Sequence, residues 1–530
     1  MTKEKEEKFV IALDLGSSQA RMGIAGFNPN DKSKTLTIYN TVSVPSVDSV
    51  RYGCIKNIRE VTEIVNDLLE GLEGKYPIEG RNITGLFLTL GGRSLKSHKI
   101  SARKVLPERR EITEEIITEL KDEAIEGSSF QGDLICVEPV RFLVDNMTAP
   151  RPVGSLGSRL AGTFTAVECN PANKTDLVDV VADRVGLGIA GLSVRPVALA
   201  RLVLSPQETK SGCMLVDFGA ETTTVSIYKN YALQYLATIP IGSRLITRDL
   251  AQILSLTEEE AETAKINFSD AMPERDRTYE NPEFRETLNA VVVARLADIV
   301  ANIAAQPQFA EISPEKLPFG IVLVGGGSKM RNFARLLESQ TNMKVRLATL
   351  PSEIIINDSN MGGIDNLALI ATLFDGAEEL RQNPEFEFVT NVKEPAPKER
   401  ASETVIDFTE PSVSTTQNDK WEEDSPFHTA EPFNDEFPYN YSDEFDGDEL
   451  TFDSEEDEER NRQQQYDRQR KANDNAKRQA IKEAKKAVRE RKRREREEYR
   501  KNHPSFFNKI KIISVKLLGS PGEDESGNMD

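Results

Sequence analysis

The residues best suited to chemistry sit in two Asp-x-Gly segments, Asp14-Leu15-Gly16-Ser17-Ser18 and Asp217-Phe218-Gly219-Ala220-Glu221-Thr222-Thr223. Each closes an apolar run that reads as a strand, Phe9 to Leu13 and Met214 to Val216. A third segment, Val324-Gly325-Gly326-Gly327-Ser328, follows the run Phe319 to Val324. A strand ending in a glycine turn exposes backbone N–H groups, and these suit phosphate. Glycine also lets the backbone approach closely and take angles that other residues resist. Ser17, Ser18, Thr222 and Thr223 add hydroxyls for phosphate oxygens. Mg²⁺ accompanies nucleotide phosphates and binds carboxylates through its tightly held water shell. Asp14 and Asp217, one at the end of each strand, are therefore the candidate metal residues, acting through water. Gly325, Gly326 and Gly327, closed by Ser328, offer a flat backbone for base and ribose. A single such turn is an ordinary strand end. Three in this order imply two matching halves facing one nucleotide.

Those turns need a large α/β framework to hold them. At 530 residues the chain has room for two or more domains, and the first 385 residues are ample for a buried core. Cys54, Cys136, Cys169 and Cys213 are widely spaced without a metal pattern and read as reduced core residues of a cytosolic protein. Three histidines argue against a histidine-based catalytic or zinc site. Met1 to Lys8 is charged and lacks the apolar core of a signal peptide. No apolar run is expected to reach the roughly 18 residues of a membrane-spanning helix. The net charge of −20 argues against nucleic acid as a partner.

The charge is uneven. From Gln382 to Trp421 the chain is polar, with Pro, Ser and Thr, and from Glu422 to Glu459 it is dominated by Asp and Glu. Such a composition buries too little apolar surface to fold. Arg462 to Lys501 is basic, rich in helix formers and without an apolar face. After Pro504 the pattern changes. Phe506, Ile510, Ile513 and Leu517 make one helical stripe, widened by Phe507 and Leu518, with Lys509, Lys511 and Lys516 around it. This fits a helix lying in a membrane interface, apolar face among lipid tails and lysines against anionic headgroups. A docking peptide or a strand added to a partner is the other reading, because Lys509-Ile510-Lys511-Ile512 also alternates.

With these residues in view, the chain resembles the FtsA family of bacterial cell-division proteins, within the actin, Hsp70 and sugar-kinase superfamily. The resemblance covers residues 8 to 385 and is most specific from Thr84 to Glu168. There, Gly85 to Gly92 reads as a strand and turn, and Glu111 to Ile116 starts a helix with Thr113 as its cap. Cys136 to Asp145 and Ala149 to Gly154 resemble the family's later strand and loop. The resemblance implies a two-lobed, actin-like α/β fold with an FtsA-type inserted subdomain. Its boundaries are lobe 1 at 8–83, the insertion at 84–168, and lobe 1 again at 169–208. Lobe 2 follows at 209–354, with an upper subdomain at about 243–305, and 355–385 closes lobe 1. A disordered linker at 386–502 and the amphipathic helix at 503–519 complete the chain. Ser193 to Ala200 and Met361 to Leu373 look like the two crossings between the lobes.

The resemblance also implies roles. ATP with Mg²⁺ is the expected cofactor. The superfamily places a Glu and a Lys three apart over ribose and base, and Glu262 and Lys265 fit, on a helix capped by Thr257; a surface ion pair is the alternative. The upper subdomain is expected to dock the C-terminal peptide of the tubulin-like protein FtsZ, with Arg295 as the candidate to meet an acidic group. Self-association, an anionic membrane surface and other division proteins complete the expected partners, on the cytoplasmic side of the inner membrane at the septum. One departure matters. The family's second phosphate turn is usually Asp-x-Gly-Gly-Gly-Thr, but here Ala220 and Glu221 replace the last two glycines. Either Glu221 points outward or the phosphate site is weakened. Gln19 also stands where many relatives have Ser or Thr. No residue is a convincing general base, so at most a slow ATPase is expected and no catalytic residue is assigned. The alternatives are a pilus-assembly adaptor of the same fold and a small-molecule kinase of the superfamily.

Overall fold

A computed structural model describes residues 7–391, apart from 74, 80, 274–281 and 358–362. The chain opens with an antiparallel meander, β1 (Lys8–Leu15), β2 (Gln19–Phe27) and β3 (Leu36–Pro45). Helix α1 (Ile58–Glu73) covers this sheet with Val61, Ile64, Val65, Leu68, Leu69 and Leu72, the spacing of one helical face. β4 (Gly85–Leu90) runs parallel to β1 and is buried at every position. Next come β5 (Lys96–Glu111), α2 (Glu114–Glu126), β6 (Asp133–Val144) and β7 (Leu156–Cys169), with β7 central between β5 and β6. β8 (Gly188–Val194) returns to run parallel beside β4 and leads directly into α3 (Arg195–Val203).

The second half repeats the plan. β9 (Cys213–Phe218), β10 (Thr223–Lys229) and β11 (Ala232–Ile239) form another antiparallel meander. Helices α4 (Arg244–Leu254), α5 (Glu258–Phe268) and α6 (Pro282–Ala304) follow. β12 (Ile321–Val324) then lies parallel to β9, and β13 (Val345–Leu347) parallel to β12. Read across each sheet, the first half has the order β3-β2-β1-β4-β8 and the second β11-β10-β9-β12-β13. The identical wiring is the internal duplication that the paired Asp turns imply. β14 (Ile354–Ile356) extends the first sheet beside β3, and α7 (Leu367–Gln382) packs on β1 and α3.

Strand alternation divides the cores. Met214, Val216 and Phe218 of β9 face a cluster with Leu288, Val292, Leu296 and Ile303 of α6. Cys213 and Leu215 face the opposite way and join the core of the first half. The subdomain formed by β5, α2, β6 and β7 has its own core around Ile116, Leu120, Phe142 and Phe164. Its expected start at residue 84 is too early, because β4 belongs to the first half's sheet; the departure follows the Gly91-Gly92 turn. Thr113 does occupy the cap position of α2, but its side chain makes no capping bond to the backbone. One correction concerns membranes. The helical stretch Pro282–Phe309 is long and apolar enough to cross one by length and composition, whereas no such run was expected. Its apolar residues include much of the second half's core. The expected linker start at 386 is too early, because Val389–Asn391 pairs antiparallel with Arg81–Ile83 and Val389 is buried. The rest of the linker, from 392, and the amphipathic helix expected at 503–519 lie outside the described residues.

Candidate functional site

A cavity of about 1130 Å³ lies between the halves. It is lined by Gly16, Ser17 and Ser18 from the first, and by Asp217, Gly219 and Thr222 from the second. Glu262, Lys265, Gly326 and Gly327 also reach it. The two Asp turns have one shape: the Gly16 N–H donates to the Gln19 carbonyl at 3.2 Å, and the Gly219 N–H to the Thr222 carbonyl at 2.9 Å. Gln19 is thus the counterpart of Thr222. Gly325 must be glycine. Its φ is +88°, and a Cβ there would lie 2.5 Å from Asp217 Oδ1.

Between the strand ends stands a cation that the sequence reading missed. Arg195, the first residue of α3, donates from Nη1 to Asp14 Oδ1 at 2.9 Å and from Nε to Asp217 Oδ2 at 2.8 Å. Asp14 and Asp217 are almost wholly buried, at 1% and 7% exposure. Burial opposes the charged guanidinium, but the two carboxylates outweigh it and hold the pKa of Arg195 above its ordinary value. Asp14 Oδ2 and Asp217 Oδ1 remain buried without a hydrogen-bond partner among the described residues. A Mg²⁺ held through water between the two aspartates is expected from the sequence. The guanidinium occupies that place, and a pair of carboxylates sharing one fixed cation does not fit a divalent ion between them.

Glu221 does not point outward. It is 4% exposed and turned onto the first half, where Oε2 accepts the Tyr52 N–H at 2.7 Å. Arg51 and Arg248 lie 3.5 and 3.4 Å from its other oxygen. The next amide, Gly53 N–H, donates to Ser17 Oγ at 2.9 Å. Tyr52 and Gly53 both have positive φ, 53° and 71°, so their adjacent N–H groups make an anion-favouring concavity. That concavity is filled by Glu221 and Ser17, side chains of the two Asp-x-Gly turns.

Two candidate hydroxyls are turned away. Thr223 Oγ1 donates to the Ile241 carbonyl at 2.7 Å and Ser328 Oγ to the Gly325 carbonyl at 2.6 Å; neither residue lines the cavity. Asp14 and Gly325 lie behind the lining. On α5 the Thr257–Glu260 capping box forms as expected. Lys265 is buried, and its Nζ donates to Glu262 at 2.7 Å, Thr247 at 3.0 Å and the Ser243 carbonyl at 3.3 Å. Burial lowers its pKa, and the charge of Glu262 partly offsets this. Arg295 has its fork occupied by Asp249, at 2.7 and 3.1 Å, with Asp298 at 3.4 Å.

The family model "Cell division protein FtsA" matches residues 214–367. The cell division protein FtsA of Porphyromonas gingivalis is 31% identical over 373 residues, 65% of this chain and 74% of that protein. The chain belongs to the FtsA family. The FtsA of Borreliella burgdorferi is 26% identical over 365 residues, covering 65% of this chain and 85% of that protein. Among solved structures, a PilM–PilN type IV pilus biogenesis complex aligns over 69% of this chain and 98% of that chain, with a TM-score of 0.49 and 15% identity.

As a member of the FtsA family, the chain is an actin-like cell-division protein, and its duplicated sheets are the two lobes expected from the sequence. Arg195 had one sequence signal: it is the lone charge in the apolar segment Ser193-Val194-Arg195-Pro196-Val197-Ala198. Other lining residues of this cavity absent from the sequence-based set include Arg21, Arg244, Thr247 and Lys329. The membrane candidates Phe506, Phe507, Lys509, Ile510, Lys511, Ile513, Lys516, Leu517 and Leu518 lie outside the described residues.

Proposed function

We propose that this FtsA-family chain binds ATP in the cavity between its lobes, and that the bound state favours self-association into filaments. The Gly16-Ser17-Ser18 and Gly219–Thr222 turns would hold phosphates, Gly326 and Gly327 would lie along base and ribose, and Glu262 and Lys265 would cover them. In this reading the apolar and lysine-bearing segment 503–519, outside the described residues, holds the filaments on the inner face of the cytoplasmic membrane. The upper subdomain docks the C-terminal peptide of FtsZ and so anchors the FtsZ ring at the septum. Arg295 enters this contact only by exchanging Asp249 for an acidic group of the peptide. Hydrolysis, where it occurs, is slow and regulatory.

The observation that carries this reading is the pair of identically hydrogen-bonded Asp-x-Gly turns meeting at one cavity. The strand order supports it, because duplication around a cleft gives one ligand two equivalent phosphate-facing ends. The test is vesicle flotation on anionic liposomes with and without ATP, comparing the full chain with one ending at His503. The full chain is expected to float and the shortened one to stay in the dense fraction. Equal flotation of both removes the tail from its role.

A further inference from the structure

We infer that Arg195 is a built-in counter-ion for the nucleotide phosphates, so that ATP binds this chain without a divalent cation. This rests on the ATP reading above and goes further, naming the source of positive charge at the phosphates. Nucleotide phosphates are normally brought to acidic strand ends by Mg²⁺, which neutralises both sides at once. Here a bridging cation, with one positive charge against the two of Mg²⁺, is already part of the chain.

Three features support the assignment. First, Arg195 is clamped by aspartates from separate lobes, at 2.9 and 2.8 Å, so its position is fixed by the framework rather than by solvent. Second, Nε and Nη1 take the two carboxylates, and Nη2 has no hydrogen-bond partner among the described residues. The side chain is 21% exposed and lines the cavity between the Asp turns. A guanidinium presents five N–H groups in a rigid plane, so two held edges leave donors with a fixed direction for a phosphate oxygen. Third, Gly91 makes room for the stem: a Cβ at Gly91 would lie 3.3 Å from Arg195 Cδ. A hydrated Mg²⁺ entering the same place would have to break two buried ion pairs or sit beside a fixed positive charge. Direct contact with the guanidinium requires neither.

The test is calorimetric titration of ATP into the full chain, once in EDTA and once in millimolar Mg²⁺. The expected result is two dissociation constants within about threefold of each other. Binding more than about tenfold tighter with Mg²⁺ would overturn the inference while leaving the ATP reading standing. No ATP uptake under either condition would remove the ATP reading itself, a distinct failure. Arg195→Gln is expected to lose metal-free binding by at least about tenfold and to recover part of it with Mg²⁺. Arg195→Lys, which keeps one charge, should retain metal-free binding better than Arg195→Gln. If Arg195→Gln, folded by circular dichroism, binds ATP in EDTA as tightly as the parent, the inference fails.

Discussion

Replacing Glu221 by Ala should loosen the cleft without unfolding either lobe. The carboxylate is buried, and Oε2 accepts the Tyr52 N–H at 2.7 Å across the lobe boundary. A hydrogen bond to a buried charged group contributes about 1.5–3 kcal/mol. Arg51, 3.5 Å away and 35% exposed, adds the roughly 0.2–1 kcal/mol of a screened pair. Arg248 belongs to the same lobe as Glu221 and keeps Glu258 at 3.5 Å, so it adds nothing to the tie between lobes. The sum is roughly 2–4 kcal/mol, which raises the opening equilibrium by about 30- to 1000-fold. Hydrogen exchange reads this directly, because a protected amide exchanges in proportion to its opening. The Tyr52 amide should lose protection by that factor. The Gly53 amide, held within lobe 1 by Ser17, should change far less and serves as an internal control. Glu221→Gln keeps an acceptor and should fall between the two. If Tyr52 exchanges as slowly in Glu221→Ala as in the parent chain, Glu221 is not a tie between the lobes.

Other outcomes are as specific. Gly325→Ala places a Cβ 2.5 Å from Asp217 Oδ1 at a φ of +88°, and thermal denaturation should show a loss of about 1–3 kcal/mol; an unchanged melting temperature would contradict the turn geometry. Burial pushes the Cys169 thiol up to about 11 and the Cys213 thiol up to about 12, and both are almost inaccessible. Thiol-reactive probes at pH 8 should therefore leave these two unmodified until denaturant is added, and modification of either in the native protein would refute their placement. Reversing Lys509, Lys511 and Lys516 to Glu removes about 1 kcal/mol of headgroup attraction per lysine and adds repulsion. Flotation on anionic vesicles should fall at least about a hundredfold, and unchanged flotation would rule out the lysines' role.

The parts of this site legible in the sequence are those whose geometry is local. An Asp at a strand end followed by a glycine turn needs only its own neighbours, and both turns form with the same hydrogen bond. The duplicated sheets follow because each turn must be carried by its own meander. Strand parity was harder. Thr222 and Thr224 reach the cavity while Thr223 between them faces Ile241, and a one-residue uncertainty in where a strand begins reverses that choice. The residues that stayed hidden depend on contacts between distant segments. Arg195 follows a strand of lobe 1, yet its setting is defined by Asp14 and Asp217 together, from strands that meet only in the folded chain.

Glu221 shows the same limit with a more pointed consequence. Taken alone, a carboxylate in a phosphate turn suggests a defect, since like charges repel. In the folded chain it turns from solvent to Tyr52 and Arg51, while Arg195 bridges Asp14 and Asp217 and offsets one of their two charges. Both lobes are thus joined by the protein's own charges at the place where a nucleotide and its metal would otherwise join them. A cleft with ties of this kind has less to gain from a ligand: part of the free energy of closure is supplied by the chain itself, so that on the proposed reading nucleotide adds only the remainder. The substitution of two glycines by Ala220 and Glu221 therefore bears on how far nucleotide can shift the open and closed populations, since a ligand moves such an equilibrium only by its difference in affinity for the two states.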